Sequence, residues 1–529
     1  MIGADAIKAM ARARIVVEAC LTDGEALYGI NTGFGSLAKQ RIGAGDLAEL
    51  QRNLVRSHSA GVGEPLRAEL VRGIMVVLAA SLCRGHSGVR PVVAETLVQM
   101  LNAGVTPVVP SIGSVGASGD LAPLAHIALC MIGEGEAEVW GGETRGGRGG
   151  RGKRGGRGGR GGRGGRGEHN GANPRGEIVD AGDALKRVGI TPIALQAKEG
   201  LALINGTHLM CAEGALLVQD ADRLMAAAET ALAMTMDGCR ASHEFLDARL
   251  YAARNQDEAG GVPARLREML NGSAIPASHA ENDARVQDPY SLRAAPTVLG
   301  AAARCIAEVR RAVELELGGV TDNPLVFPSG AINTAAGVRE GVHSVEDAVL
   351  SGANFHGMPL ALPLDCLAIA LCHLAGISER RSYLMTGAFE PESRLKPFLT
   401  PVPGLRSGLM IAQYTAAACV NEMIGLANPA SVANVTTCAG MEDYNSFGPR
   451  GAAKARRGLE LAQKVVAVEL LCAAQALEAQ RPLKSGAGVE AAYRRIREVV
   501  EPLTLDRPLT ADIEGIAGLI ASGAFARTR

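Results

Sequence analysis

One stretch decides the fold and the chemistry expected of this chain: Gly113-Ser114-Val115-Gly116-Ala117-Ser118-Gly119-Asp120-Leu121-Ala122-Pro123-Leu124-Ala125-His126. Three small residues, Ala117, Ser118 and Gly119, lie at its centre between further glycines. Without large side chains the backbone can fold tightly on itself, so the Gly119 amide nitrogen can reach the Ala117 carbonyl carbon. Ring closure and dehydration of Ser118 would leave a five-membered ring with an exocyclic methylidene, which is a strong electrophile.

This stretch also has simpler interpretations. A Gly/Ser loop before an apolar helix is usually a turn or an anion-binding nest. A nucleophile elbow is excluded, because Gly-x-Ser-x-Gly is not completed after Ser118. A phosphate loop is excluded, because no Gly-Lys-Ser/Thr follows. Side chains are nucleophiles, acids or bases, so a protein that needs an electrophile must import or build one.

The string from Gly113 to His126 resembles the signature of the aromatic amino-acid ammonia-lyases, which build a methylidene-imidazolone from Ala-Ser-Gly. Further strings resemble that family in the same order along the chain: Tyr28-Gly29-Ile30-Asn31-Thr32-Gly33-Phe34-Gly35, Ser57-His58, Asn205-Gly206-Thr207, Gln287-Asp288-Pro289-Tyr290-Ser291-Leu292-Arg293, Ser351-Gly352-Ala353-Asn354-Phe355-His356 and Glu442-Asp443. The resemblance implies a 4-methylidene-imidazol-5-one formed autocatalytically from Ala117, Ser118 and Gly119, with no external cofactor and no metal. It also implies a homotetramer whose pockets each draw residues from three subunits.

The expected fold is mostly α, with a small N-terminal domain and a long central helical bundle, as in the ammonia-lyases. The chain of 529 residues is 47% hydrophobic but only 3% aromatic, so its core must consist mainly of Ala, Leu, Val and Ile. Ala-rich and Leu-rich segments favour helix. We expect an N-terminal domain over 1–85, with the Tyr28 loop and Ser57-His58, and a bundle domain over 86–529 with the Ala-Ser-Gly segment. The predicted helices cover 4–20, two segments within 68–103, 121–131, 209–250, 361–385 and 453–480.

A sharp compositional break interrupts the bundle domain at 141–175, where Arg-Gly-Gly units repeat. Residues 145–166 hold nine Lys or Arg and no acid in a chain of formal net charge −1, so the remainder is mildly acidic. That balance excludes a general nucleic-acid footprint. Gly at this density predicts a disordered, solvated insert. Weak contact of 145–166 with single-stranded nucleic acid remains an alternative.

Eleven cysteines are scattered singly, without a Cys-x-x-Cys pair, which suits reduced thiols. Charged residues interrupt any apolar region near the N-terminus, so no signal peptide is expected. We therefore predict a cytoplasmic protein without membrane contact.

Besides Ala117, Ser118 and Gly119, the resemblance implies that Tyr28, Tyr290 and Glu442 are catalytic. Taken alone, Tyr28 is a buried tyrosine in a turn, but in the family this tyrosine lies over the electrophile as the proposed base. A free phenol has a pKa of about 10, so the role needs a positive local field from helix N-termini or an arginine. Glu442 is the rival base, although two adjacent acids are usually a solvated face. Tyr290 is also implied to act in the reaction.

The substrate-binding residues implied are Arg293, Gln287, Asn205 and Phe355. Pro289 prevents a continuous helix, so its neighbours must lie at a helix start or a kink, and a capped turn is the simpler interpretation. Arg293 would pair with the substrate carboxylate through its planar fork. Gln287 would line the pocket with Tyr290, Asn205 would contact the carboxylate region, and Phe355 would pack on the substrate or electrophile.

The side chain of the substrate is indicated by Ser57-His58 and Glu442. At the positions of Ser57 and His58, family members that act on phenylalanine have apolar residues. Those that act on tyrosine have His-Leu there, and those that act on histidine have Ser-His. The imidazole of His58 can donate one hydrogen bond to the imidazole of a substrate or accept one from it, so His58 fits histidine as the substrate. A Glu at the position of Glu442 is also typical of the histidine group, whereas His208, Met441 and Tyr444 depart from its pattern.

The expected reaction is non-oxidative elimination of ammonia from L-histidine to give trans-urocanate, by a carbon–nitrogen lyase of histidine degradation. The alternatives are a tyrosine or phenylalanine lyase, an aminomutase of the same family, and an RNA-binding protein that acts through the Arg-Gly-Gly tract. Whether the substrate amine or ring meets the electrophile, and whether Tyr28 or Glu442 is the base, stays open.

Overall fold

The computed structural model describes residues 1–23, 28–33, 35, 40–140, 176–255, 261–281, 283–328, 332–334, 337–339 and 348–526. The Arg-Gly-Gly insert at 141–175 lies outside these residues, so its predicted disorder and nucleic-acid contact stay predictions.

The part of the chain that the structure describes is mostly α, as predicted, and contains 17 α-helices. The helices are α1 Ala4–Asp23, α2 Leu47–His58, α3 Ala68–Cys83, α4 Pro91–Ala103, α5 Leu121–Met131, α6 Ala181–Arg187, α7 Glu199–Ile204, α8 His208–Gly238, α9 Ala248–Ala253, α10 Val262–Leu270, α11 Tyr290–Arg293, α12 Ala295–Leu317, α13 Met358–Gly387, α14 Met410–Leu426, α15 Gly448–Gln480, α16 Ala487–Arg497 and α17 Thr510–Ala521. 

The strands are short and pair antiparallel as β1–β3, β2–β4–β5, β6–β9 and β7–β8. They are β1 Val62–Pro65, β2 Val105–Pro107, β3 Pro110–Ile112, β4 Glu136–Val139, β5 Glu177–Asp180, β6 Leu325–Val326, β7 Ile332–Thr334, β8 Gly337–Arg339 and β9 Val349–Leu350. The pair β7–β8 is a short antiparallel hairpin, with Ile332 opposite Arg339 and Thr334 opposite Gly337.

The chain forms two compact units, each discontinuous in sequence. Unit 1 comprises Met1–Gly113, Asp120–Leu209 and Val320–Phe355, and unit 2 comprises Ser114–Gly119, Met210–Gly319 and His356–Arg529. In unit 1, one core cluster contains Ala13, Val17 and Cys20 of α1. In unit 2, α15 packs against α13, α14 and α17. The predicted domain boundary at residue 85 stays a prediction.

Most predicted helices are confirmed, but the single helix predicted over 209–250 is wrong. Helix α8 ends at Gly238, and Arg240 then adopts a left-handed φ of +56°. The Ala241 amide donates to the Met236 carbonyl, which is the six-residue closure that terminates helices. The Asp237-Gly238 pair at this point is a sequence signal for a helix end, which the prediction did not use.

Helix α13 is long and apolar enough to cross a membrane, and it is the one such helix in the described ranges. Half of its most apolar window is buried inside the protein, and one helix of this kind is weak evidence for a membrane span.

Candidate active site

The Ala117-Ser118-Gly119 segment lies in a tight turn of unit 2. A left-handed glycine precedes the segment, and its own last residue is a second one. Gly116 has φ +72° and Gly119 has φ +76°, which only glycine adopts without strain. The Ser114 hydroxyl donates to the Gly119 carbonyl at 3.0 Å and accepts from the Gly116 amide at 3.1 Å. One hydroxyl thus spans the tripeptide, and this compact backbone fits the predicted ring closure.

A second segment of unit 2 holds the entry to this turn. The Phe447 amide donates to the Val115 carbonyl at 2.9 Å, and the buried Ser446 hydroxyl donates to the Gly116 carbonyl at 3.2 Å. A Cβ on Gly116 would collide with Ser446 Oγ and would lie 3.1 Å from the Phe447 nitrogen. Glycine is therefore required at 116 by close packing as well as by φ. Sequence reasoning missed Ser446, because its partner is 330 residues away.

The predicted catalytic residues Ser118 and Glu442 are brought together within unit 2. The Ser118 hydroxyl donates to Glu442 Oε1 at 3.2 Å. The other carboxylate oxygen, Oε2, accepts from the Thr437 hydroxyl at 2.9 Å. Glu442 is half-buried, so its carboxylate is held by protein groups and retains access to solvent.

A second cluster of unit 2 contains Gln287, Tyr290 and Arg293. Pro289 precedes the four-residue helix α11, which confirms a helix start at this proline. Arg293 Nε donates to the Asp288 carbonyl at 3.0 Å, and its guanidinium lies 4.3 Å from the centre of the Tyr290 ring. Gln287, Asp288 and Arg293 line a cavity of about 710 Å³. Burial raises the pKa of the Asp288 carboxyl above its usual range, and the Ser242 amide opposes that shift by donating to it.

Asn205 belongs to a buried polar cluster of unit 1. It follows α7, and its side-chain amide donates to Asp322 Oδ1 at 3.4 Å and to the Asn323 carbonyl at 3.3 Å. The buried Lys198 ammonium donates to Asp322 Oδ2 at 2.6 Å. Burial lowers the pKa of Lys198, and Asp322 opposes that shift. Sequence reasoning missed both Lys198 and Asp322.

The Tyr28 turn approaches the same part of unit 1. A Cβ on the neighbouring Gly29, whose φ is +74°, would lie 2.5 Å from Leu201 Cδ2 and 3.1 Å from Pro324 Cδ. Leu201 and Pro324 flank the Asn205 cluster in sequence, so the backbone beside the half-buried Tyr28 is packed against that cluster. Glycine at 29 makes this approach possible.

His58 closes α2, where its Nδ1 lies 2.9 Å from the Leu54 carbonyl. A carbonyl can only accept, so Nδ1 carries the proton in the neutral ring and Nε2 carries the lone pair. Ser57 donates its hydroxyl to the same carbonyl at 3.1 Å. Phe355 is half-buried at the end of a loop in which the Gly352 amide donates to Asn323 Oδ1 at 2.7 Å.

His208, which departs from the family pattern, is buried with 2% of its surface exposed. Neither ring nitrogen has a hydrogen-bond partner within the described part of the chain. Burial lowers the pKa of this imidazole to about 4, so it is neutral at neutral pH. Residues of the types that bind metals form no group of three or more over the described ranges.

The helical fold and the Ala-Ser-Gly turn define an aromatic amino acid lyase. The family model of that name matches residues 1–498, and the chain belongs to this family.

Among its relatives, a histidine ammonia-lyase from Anaeromyxobacter sp. (strain K) is 45% identical over 513 residues, covering 97% of this chain and 92% of the relative. A histidine ammonia-lyase from Deinococcus radiodurans is 43% identical over 527 residues, with coverages of 99% and 90%. The crystal structure of histidine ammonia-lyase from Trypanosoma cruzi has a TM-score of 0.83 and 36% identity, covering 99% of this chain and 89% of that one. Tyrosine aminomutase from Streptomyces globisporus also has a TM-score of 0.83, with 32% identity and coverages of 99% and 92%.

Proposed function

We propose that this protein is a histidine ammonia-lyase, which eliminates ammonia from L-histidine to give trans-urocanate. The observation that carries the proposal is the 3.2 Å contact between the Ser118 hydroxyl and Glu442. It joins the electrophile-forming serine to the carboxylate type that marks members acting on histidine. The names and near-complete coverage of the relatives support the same activity.

The prosthetic group would be a methylidene-imidazolone made from Ala117, Ser118 and Gly119. When formed, it supplies the electrophile that makes the substrate amine a better leaving group or stabilises the adjacent carbanion. The residues present fit this group, because the turn combines two left-handed glycines with the Ser114 hydroxyl that spans it.

Arg293 would bind the substrate carboxylate. Its Nε is committed to the Asp288 carbonyl, so a bidentate contact would use the two Nη atoms. The Tyr290 ring beneath the guanidinium supports its orientation. Gln287 lines the same cavity and can bind a polar group of the substrate. Asn205 would contact the carboxylate region, and Phe355 would pack against the substrate or the electrophile.

The imidazole of the substrate would be bound by His58 and Glu442. His58 Nε2 carries a lone pair in the tautomer assigned above, so it can accept from a ring N–H. Glu442 can accept a ring N–H or remove the β-proton, and Tyr28 is the rival base. Departure of ammonia then completes the elimination.

We also propose a cytoplasmic homotetramer. Unit 2 exposes large apolar side chains on α14, namely Ile411, Tyr414 and Ile424, and also Val286 and Tyr290 beside Gln287. We expect the exposed apolar side chains of α14 to pack against another copy of the chain. Light scattering on the purified protein should give four times the chain mass, and a monomer at micromolar concentration would refute this part.

The test of the proposed function supplies the purified protein with L-histidine, L-tyrosine and L-phenylalanine in separate reactions. The rise in ultraviolet absorbance of each unsaturated acid measures elimination. We expect urocanate from histidine and much slower turnover of the others. Ser118→Ala should abolish turnover and the absorbance of the prosthetic group while keeping the fold. Fast turnover of phenylalanine without histidine would refute the substrate assignment.

An aminomutase is the second candidate, favoured by the likeness to tyrosine aminomutase. Proton NMR of the same reactions separates the two activities, because an aminomutase yields a β-amino acid and retains the nitrogen.

A further inference from the structure

The loop after α14 places two side chains opposite each other across a short antiparallel bridge. The Thr437 amide donates to the Glu442 carbonyl at 2.8 Å, and the Glu442 amide donates to the Thr437 carbonyl at 3.3 Å. Residues of such a pair present their side chains on the same face. The four residues between them, 438–441, form a tight turn that includes left-handed Cys438, Ala439 and Gly440.

This pairing brings the Thr437 hydroxyl to the Glu442 side chain. Its Oγ1 lies 2.9 Å from Oε2 and 3.2 Å from the Glu442 carbonyl oxygen. The hydroxyl has one proton, and the shorter contact to the charged oxygen is the stronger bond. The last torsion of a glutamate is broad and soft, so this bond selects its rotation.

The two oxygens of Glu442 therefore have separate partners. Thr437 binds Oε2, and Oε1 lies 3.2 Å from the Ser118 hydroxyl. Thr437 itself has no described contact with Ser118, so its influence on that side of the carboxylate passes through Glu442.

We propose that Thr437 is a positioning residue for the reaction, because it fixes the Glu442 carboxylate with Oε1 towards the electrophile-forming segment. This inference rests on the proposed function and deepens it. Half-burial of both residues leaves room for substitution without a cavity in the core.

The test compares Thr437→Val with Thr437→Ser. Valine keeps the shape and removes the hydroxyl, whereas serine keeps the hydroxyl. We expect Thr437→Val to lose about tenfold in kcat/KM for L-histidine, the usual effect of one hydrogen bond to a charged group. Thr437→Val should change the same kinetic parameter, kcat or KM, that Glu442→Gln changes. Thr437→Ser should stay within twofold of wild type, and prosthetic-group absorbance should persist in both.

A double substitution separates positioning from general stability. In a Glu442→Gln background, Thr437→Val should cost less than twofold further, because the carboxylate that it positions is gone. An equal loss in both backgrounds, or full activity of Thr437→Val, would overturn the proposal. If Thr437→Val fails to fold, Thr437→Ser and Thr437→Ala take its place. A large loss of activity in Thr437→Ser with intact absorbance would overturn the proposal. Wild-type kinetics of Thr437→Ser, together with a tenfold loss in folded Thr437→Ala, would support it.

The proposed function is tested separately by the wild-type protein. If the wild type eliminates ammonia from phenylalanine and not from histidine, the substrate assignment fails, and the same variants are compared on phenylalanine. The positioning role then stands or falls on the ratio between variants.

Discussion

Replacing Gly116 by alanine should prevent the electrophile from forming. Alanine at a φ of +72° costs about 1–2 kcal/mol. The new Cβ collides with Ser446 Oγ, and the nearby Phe447 nitrogen belongs to the backbone and cannot swing away. If Ser446 rotates, it loses its bond to the Gly116 carbonyl and the bond that it accepts from the Gly448 amide, at about 1 kcal/mol each.

Together these terms reach roughly 3–4 kcal/mol, which corresponds to more than a hundredfold in the population of the native turn. The assay is ultraviolet absorbance of the prosthetic group, measured with L-histidine turnover and size-exclusion elution. Gly518→Ala on α17 is the matched control, because a Cβ there meets nothing within 4 Å and the position is helical. Full absorbance and turnover within twofold of wild type in Gly116→Ala would refute the reasoning.

Three other substitutions test separate parts of the site. His208→Gln should reduce the loss of stability that the protein shows below neutral pH. Burial lowers the pKa of this imidazole to about 4, against about 6.5 in the unfolded chain. The unfolded state therefore binds a proton first, so the stability that the neutral imidazole allows is complete above pH 6.5 and is lost towards pH 4. At pH 5 this amounts to about 2 kcal/mol, and melting temperatures at pH 5 and 7.5 measure it; an unchanged pH dependence would contradict it. Arg293→Lys should lower kcat/KM for L-histidine about ten- to hundredfold with intact prosthetic-group absorbance, since a bidentate charged contact is lost, and steady-state kinetics measure the effect. Asp322→Leu should lower the free energy of unfolding by about 3 kcal/mol, because Lys198 is left as a buried unpaired charge, and denaturant unfolding against Lys198→Met/Asp322→Leu checks this.

Local features of the fold were predictable from sequence, and long-range contacts were not. Helix α5 was predicted with its observed bounds, because an apolar run begins after a Gly-Asp break and ends before another glycine. The start of α11 followed from Pro289, whose ring forbids a helix interior. The contact between Ser118 and Glu442 joins residues 324 apart, and nothing local in either motif specifies it.

The missed residues share a physical reason. Thr437 and Ser446 act through one hydroxyl each, and an isolated Ser or Thr in a loop is indistinguishable in sequence from a solvated one. Such contacts appear only when the backbone is folded. The end of α8 was missed for another reason, because the Asp237-Gly238 pair that marks it in the sequence was not used.

The loop 434–447 links the two chemical functions assigned to unit 2. Its end binds the backbone just before Ala117 through Ser446 and Phe447, and its middle holds the Glu442 carboxylate through Thr437. The departures at Met441 and Tyr444 fall on this loop, but their side chains are 63% and 64% exposed in the single chain. Neither replaces a group that holds Glu442, so these departures leave the Thr437–Glu442 bridge intact.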